Sequence, residues 1–256
     1  EPGESGNKVD VRWVAVTRGD GVGLLAVGLP RLSVHALPFT PALSLEPPQA
    51  ITWLDEDRRL VVRTSAESPF RVRHALASRL ALPAAGIRVV RPLAAGGAAG
   101  DEGLLVEDLC AAVTLRTGRP ARLALNGNEQ LAASSGRPAQ RVRVRLAVRD
   151  GHITALDLRF ILDLGASDES ADELLRSTAR HALATYAAAS VRIEAIAVRT
   201  HRPPSGTPRG ADGGAAYAVE CAIDEAARQA GEDPLRFRRR QLRRSGETTS
   251  AALLAC

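Results

Sequence analysis

The chain has 256 residues, 45% of them apolar and 25% charged, with a formal net charge of +5. That is enough to bury one large core or two small ones and describes a soluble globular protein. No run of about 18 apolar residues exists, which excludes a transmembrane helix, and the opening Glu1-Pro2-Gly3-Glu4-Ser5-Gly6 lacks the basic and apolar regions of a signal peptide. The positive excess permits weak attraction to polyanions. Lys8, however, is the only lysine among 34 basic residues, and aromatics are 3% of the chain, which argues against a nucleic-acid stacking surface. With no methionine, the chain is expected to be trimmed, processed or excerpted from something longer. Cys110, Cys221 and Cys256 are too few and too far apart for a disulfide framework or a zinc site. The first two fall on predicted helices among apolar neighbours, which implies structural thiols in a reducing, cytoplasmic setting.

In chain order, 11–16 and 23–27 are short β-type runs joined by Arg18-Gly19-Asp20-Gly21, the pattern of a hairpin. Residues 59–65 alternate as a strand. Ser68-Pro69 has the form of an N-cap followed by proline at the first helical position and predicts a helix to Leu82. A strand follows at 87–90, a glycine-alanine loop at 93–103, and a helix over 102–117 stopped by Gly118 and Pro120. At 141–149 the alternation is clearest, with Val142, Val144, Leu146 and Val148 on one face and Arg141, Arg143, Arg145 and Arg149 on the other. The arginine row reads as a solvated face rather than an anion site. Asp150-Gly151 is a hairpin turn returning into 153–163, and 191–200 is a further strand. Helices are expected over 215–230 and 234–242, the second capped by Asp233, before a polar, frayed tail. Strands and helices mix without a regular βαβ repeat, so the fold class is α+β, with mixed sheets and packed helices.

Two resemblances overlay this pattern. Thr207-Pro208-Arg209-Gly210-Ala211, then Ala218-Val219-Glu220-Cys221-Ala222-Ile223-Asp224-Glu225, then Asp233-Pro234-Leu235-Arg236-Phe237-Arg238 stand in the order of R-G-x-G, F-A-x-E-x-x-I-D-E-L-A and G-x-D-P-L-x-F-R. That order resembles the large subunits of molybdenum hydroxylases: xanthine dehydrogenases, aldehyde oxidoreductases and isoquinoline-type oxidoreductases. Leu45-Glu46-Pro47-Pro48-Gln49-Ala50 is similar to the same family's L-E-P-x-x-A segment. Before it, Gly6-Asn7-Lys8-Val9-Asp10-Val11-Arg12-Trp13, Gly23-Leu24-Leu25-Ala26-Val27-Gly28 and Ser33-Val34-His35-Ala36-Leu37-Pro38-Phe39-Thr40-Pro41 resemble the C-terminal β-sandwich of large β-galactosidases. The expected organisation is therefore a β-hairpin segment at 1–44, a molybdopterin-binding-like domain at 45–244 and a frayed tail at 245–256, with the first piece a fusion or the product of a mis-joined reading frame.

The molybdenum hydroxylase resemblance nominates site residues. Arg209 takes the place of an active-site arginine near cofactor and substrate, a planar fork suited to an oxyanion, with Gly210 beside it. Ala95-Gly96-Gly97-Ala98-Ala99-Gly100-Asp101 resembles the molybdopterin-contacting G-G-G-F-G-G-K loop, which makes Gly96, Gly97, Ala98 and Gly100 candidate cofactor-binding residues through close backbone approach. Here Ala98 replaces the phenylalanine, Ala99 a glycine, and Asp101 a lysine, the last placing negative charge near a phosphate. Thr64-Ser65-Ala66-Glu67-Ser68-Pro69 resembles T-S-T-Q-x-P, with Glu67 at the glutamine position, where an ionised carboxylate accepts but cannot donate. Glu220, Asp224 and Glu225 are expected to pair with arginines. His35, His74, His152, His181 and His201 lack metal-ligand spacing, so no metal is assigned to them.

The resemblance implies a molybdopterin-binding part of an oxidoreductase acting on aldehydes or N-heterocycles, with cofactor affinity weakened by those substitutions. It also implies partners. These are a missing second molybdopterin-binding half carrying the catalytic glutamate, iron-sulfur and flavin subunits, and a small-molecule substrate, with no nucleic acid and no membrane. The alternatives are a non-catalytic relic or interaction module on the same scaffold, or a fragment of a β-galactosidase-type hydrolase.

Overall fold

The computed structural model describes residues 31–41, 46–92, 104–133, 135–166, 171–205 and 213–245. The chain divides into two compact units. One comprises Glu1–Phe39, Pro138–Arg202 and Gly210–Cys256, the other Thr40–Arg137 and Pro203–Arg209.

In the first unit, β1 (Arg31–Leu37), β8 (Ala139–Arg149), β9 (His152–Asp163) and β10 (Ser190–Val198) form a sheet in the order β1-β8-β9-β10. The β1-β8 and β8-β9 pairs are antiparallel, and β9-β10 is parallel. Asp150 and Gly151 close the β8-β9 hairpin with φ of 51° and 74°, the left-handed pair that matches strand twist. The expected alternation holds up to Leu146. A bulge at Ala147/Val148 then turns Ala147 into the core and leaves Val148 half-buried, because the extra residue on β9 resets the parity. Val142, Val144 and Leu146 meet Phe160, Leu158 and Leu156 across the hairpin. Onto this face pack α4 (Ala171–Leu183), α5 (Gly213–Gln229) and α6 (Pro234–Ser245). The core-facing stripe of α5 includes Ala215, Ala218, Val219, Ala222, Ile223, Ala226 and Ala227, and its alanines permit a close approach to the sheet. The buried Phe160, Phe237, Leu158 and Leu162 each contribute roughly 1.5–3 kcal/mol.

In the second unit a sheet in the order β5-β4-β3-β6 is built from β3 (Gln49–Leu54), β4 (Leu60–Thr64), β5 (Ile87–Val90) and β6 (Ala121–Ala124). The β4-β5 pair is parallel, and the connection runs through α1 (Pro69–Leu80) and a short 3-10 turn. Together with α2 (Glu107–Thr117), α1 covers one face over Leu60, Val62, Val72, Leu76 and Ile87. This unit also contains α3 (Gly127–Ala133) and a two-stranded ribbon of β2 (Thr40–Pro41) and β7 (Gly136–Arg137). Thr52 and Thr114 share a buried hydrogen bond of 2.6 Å between β3 and α2.

The α+β expectation stands, with mixed sheets and packed helices. Two details differ. Ser68 sits at the cap of α1 without a side-chain capping bond, so the proline at the first position and the backbone start that helix. Described α2 begins at Glu107 rather than 102, because the Glu107 carboxylate turns back to accept the N–H groups of Leu105 and Val106, both at 3.2 Å, closing the helix end at that residue. The expected hairpin at 11–27 and the tail after Ser245 lie outside the described residues. The stretch Ser33–Leu37 belongs to β1 and pairs with β8.

Candidate functional site

The parallel pair β4-β5 organises one end of the second unit. Arg63 and Val90 are register partners at the carboxyl ends of the two strands. From these ends leave the Thr64–Pro69 turn and, past Arg91 and Pro92, the segment 93–103. Crevices beyond the carboxyl ends of parallel strands are the usual ligand sites of α/β sheets. Glu67 stands in the first turn, half-buried, just before α1. Gly96, Gly97, Ala98 and Gly100 fall within the second segment and outside the described residues.

A buried carboxylate holds this end together. Glu107 is 2% exposed and accepts the hydroxyl of Thr64 as well as the N–H groups of Leu105 and Val106. Thr64 Oγ1 in turn accepts the Ala66 N–H at 3.0 Å. The chain emerging from 93–103 is thus tied to the turn that carries Glu67. Glu107 escaped the sequence reading, although an acidic residue in a first helical turn was a usable signal. Beside it, burial pushes the Cys110 thiol up, with the charges of Glu107 and Asp108 adding to the effect. Cys110 is buried and its thiol donates to the Ala50 carbonyl at 3.6 Å, a structural placement expected from its neighbours. A cleft of about 380 Å³ opens at the roots of the two turns, lined by Gln49, Ile51, Arg63, Ser65, Pro92 and Arg122 among others.

In the first unit the sequence motifs converge on a clamp. Arg238 on α6 donates from Nε to Glu220 Oε2 at 2.9 Å, from Nη2 to the Glu220 carbonyl at 3.2 Å, and from Nη1 to Asp224. Tyr186 donates its hydroxyl to the same Glu220 Oε2 at 3.1 Å. Burial, then the Glu220 carboxylate, holds the Tyr186 phenol above its ordinary range. Burial alone would lower the Arg238 value, but its hydrogen bonds to Asp224 and Glu220 outweigh that and raise it. Asp233 caps α6 by accepting the Arg236 N–H at 2.9 Å. Glu225 pairs with Arg228 on its own helix. Glu220, Asp224 and Glu225 are therefore ion-pair partners of arginines, as expected.

At the other end of α5, Gly213 and Gly214 begin the helix; Arg209 and Gly210, which precede it in sequence, lie outside the described residues. Gln140 on β8 packs against Gly214, where an added Cβ would overlap Oε1 and fall 2.7 Å from Cδ. Gln140 is 4% exposed, and its Oε1 has no hydrogen-bond partner. The sequence carried a sign of it, since Gln140 shares the parity of Val142, Val144 and Leu146 and so sets a polar group in an apolar row. The arginine row is partly built in, with Arg145 paired to Asp157, which is 3% exposed. Among the described residues no group of three or more His, Cys, Asp or Glu could hold a metal ion, and no helix is long and apolar enough to cross a membrane.

Fold and motifs coincide with one known family. Residues 35–242 match the molybdopterin cofactor-binding domain. The chain belongs to that family. It is 28% identical over 167 residues to the nicotinate dehydrogenase large molybdopterin subunit of Eubacterium barkeri, covering 65% of this chain and 39% of that relative. Quinoline 2-oxidoreductase from Pseudomonas putida 86 superposes with a TM-score of 0.81 at 28% identity, over 93% of this chain and 31% of that one. The aldehyde oxidoreductase of Desulfovibrio gigas shares the fold with a TM-score of 0.85 at 23% identity, over 90% of this chain and 26% of its own. The chain spans well under half the length of each of these relatives. It is thus a molybdopterin-binding domain of the xanthine dehydrogenase and aldehyde oxidoreductase family.

Proposed function

We propose that this chain is the molybdopterin-binding part of an oxidoreductase that hydroxylates aldehydes or N-heterocycles. In this reading it works with a second molybdopterin-binding half and with iron-sulfur and flavin partners. The observation that carries the proposal is the family match over 35–242 together with the partial coverage of every relative named above. The residues present suit such a group. At the first turn of α5 the absence of a Cβ at Gly214 makes room for the buried Gln140 amide, whose Oε1 has no partner.

The bound cofactor would supply the oxo-transfer and two-electron redox chemistry. The backbone of Gly96, Gly97, Ala98 and Gly100, with Gly210, would hold it, and Glu67 would lie against it. Arg209 is the residue assigned to catalysis, its guanidinium orienting an anionic oxygen of the substrate. Asp101 in the same loop would repel a phosphate, and Glu67 can donate a hydrogen bond only when protonated. These two substitutions, with Ala98 and Ala99, weaken cofactor affinity relative to a loop with glycine, phenylalanine and lysine there. A separate ancestry for the N-terminal piece is part of the same proposal for the residues before 35, where the family match begins.

Elemental molybdenum and pterin fluorescence, measured on protein co-expressed with its neighbouring subunits, test the reading. Metal and pterin at stoichiometric levels are the expected result. A folded sample without either, from a host that loads a control enzyme, would overturn it in favour of a non-catalytic relic of the scaffold. In a loaded assembly, Arg209→Ala is expected to lower kcat/KM by at least a hundredfold, in the range known for removing one such donor; an unchanged value would sink the assigned role.

A further inference from the structure

We infer that the helix-free face of the β5-β4-β3-β6 sheet is a docking surface for an acidic polypeptide of the same assembly, met by Arg63, Arg88 and Arg122. It rests on the function proposed for the chain, which gives it partner subunits, and names the surface and the chemistry that hold one of them.

Strand parity sets the two faces of this sheet apart. Leu60, Val62 and Ile87 turn toward α1 and α2, and Ala50 packs with Cys110 of α2. The alternate residues point the other way. Register places Val90, Arg63, Ile51 and Arg122 in one row across all four strands. In a second row Arg88 stands beside Val61, and Val61 beside Trp53. All three arginines are exposed, and among the described residues none of their guanidinium groups has an ion-pair partner. Elsewhere in the same unit, Arg59 is paired with Asp55 and Asp57, and Arg79 with Asp108. The helix-free face therefore keeps its positive charge uncompensated.

Width and composition select the occupant. Three strand spacings carry the first row over about 14 Å, more than a small anion spans. The cleft of about 380 Å³ takes in only its Arg63, Ile51 and Arg122 part, with Glu46 the one acid among the described lining residues. Between the arginines lie Ile51, Trp53, Val61 and Val90, and Val61 is only 3% exposed although no helix covers it. Arginine and tryptophan around a dry aliphatic centre is the composition of a protein interface. A single-stranded nucleic acid would need a series of aromatic platforms, and the two rows hold Trp53 alone. The partner that fits presents carboxylates about 10 Å apart, the separation of Arg63 and Arg122 across Ile51. Each guanidinium can take a carboxylate through two parallel hydrogen bonds.

Affinity between the full chain and its co-purified neighbouring subunits, measured at low and high salt, tests this. The variants are Arg63→Glu with Arg122→Glu, the milder Arg63→Gln with Arg122→Gln, and Arg116→Glu on α2, on the opposite side of the sheet, as control. The double charge reversal is expected to weaken association with at least one subunit by at least about tenfold, and the glutamine pair by less. Salt should weaken wild type more than the glutamine pair, and the control should bind as wild type does. Thermal midpoints of all variants are expected to stay near that of wild type, since no internal ion pair is lost; if the reversal alone unfolds the chain, the glutamine pair decides. Equal affinities in wild type and both arginine variants, an equal loss in the control, or no association of wild type with any subunit would overturn the inference. So would a large fall in both midpoints, or tighter binding of a DNA oligonucleotide than of any subunit through the same arginines. Molybdenum and pterin are read on the same samples. A complex that lacks them but depends on Arg63 and Arg122 refutes the cofactor reading and not this one, and a loaded complex indifferent to both arginines does the reverse.

Discussion

The two ends of α5 treat polar groups in opposite ways. Toward its middle and C-terminal half, Glu220 and Asp224 are gripped by Arg238, and Tyr186 closes on Glu220. At its first turn, two glycines sit over Gln140, whose carbonyl oxygen is buried and unpaired. The motif residues Glu220, Asp224 and Arg238 are therefore fastenings. They align α5 against α6 and commit the helix to one position, and none of them is left with chemistry to do. At that turn pairing was left incomplete, and a buried polar group without a partner calls for an explanation.

The comparison can be broken most sharply at the core beneath the clamp. Phe237→Ala, at a fully buried site shared by α6 and the sheet, is expected to cost about 3–5 kcal/mol in urea unfolding; a loss below about 1 kcal/mol would mean that α6 is not docked as described. Next, Arg238→Ala leaves two carboxylates and a tyrosine hydroxyl without their cation. Since both carboxylates are more than a third exposed, solvent screens much of the loss, and about 2 kcal/mol is expected. Arg238→Lys should recover only part, because a single ammonium cannot span both acids with a planar fork.

At the opposite end, Gly214→Ala pushes a Cβ into the Gln140 amide and should cost about 1–3 kcal/mol. Gln140→Ala in the same chain should return most of that, giving a coupling of at least about 0.5 kcal/mol in a double-mutant cycle. Additive losses would show that the amide does not occupy the glycine cradle. The smallest effect is a pH dependence. The Tyr186 phenol is raised above its unfolded value of 10.0 by burial and by Glu220, so its neutral form is favoured in the fold. Its contribution is fully present below the unfolded pKa and is lost as pH rises from there toward the folded value. Denaturation midpoints should fall less steeply above pH 10.0 in Tyr186→Phe than in wild type; parallel curves would place the tyrosine outside the clamp.

Elements with a one-dimensional signature are legible in the amino-acid order itself. Valines alternating with arginines at 141–146, Asp150-Gly151, and proline or Asp-Pro at helix starts each act through local sterics. Other elements carry no such signature. Strand β3, Gln-Ala-Ile-Thr-Trp-Leu, is made a strand by β4 and β6 on either side, and β6 has only four residues. Helix α4, by contrast, carries a buried stripe of Leu174, Leu175, Thr178, Ala179 and Ala182 at helical spacing, a local signal that the sequence reading passed over. The site divides the same way. Arg209, Glu67 and the 93–103 loop were named from motif order, whereas Glu107 and Gln140 left a sign in the sequence whose meaning comes from Thr64 and Gly214 beside them.

What the sequence determined by itself is therefore the family, the α+β class and the order of most elements, because turn chemistry, periodicity and motif order are properties of neighbouring residues. Which polar groups are paired and which are left waiting was decided by the tertiary structure alone. Glu220 meets Arg238 across 18 residues, Thr64 meets Glu107 across 43 and Gln241 meets Gly151 across 90. A buried hydrogen bond is satisfied or orphaned by packing in three dimensions, and no local pattern records it.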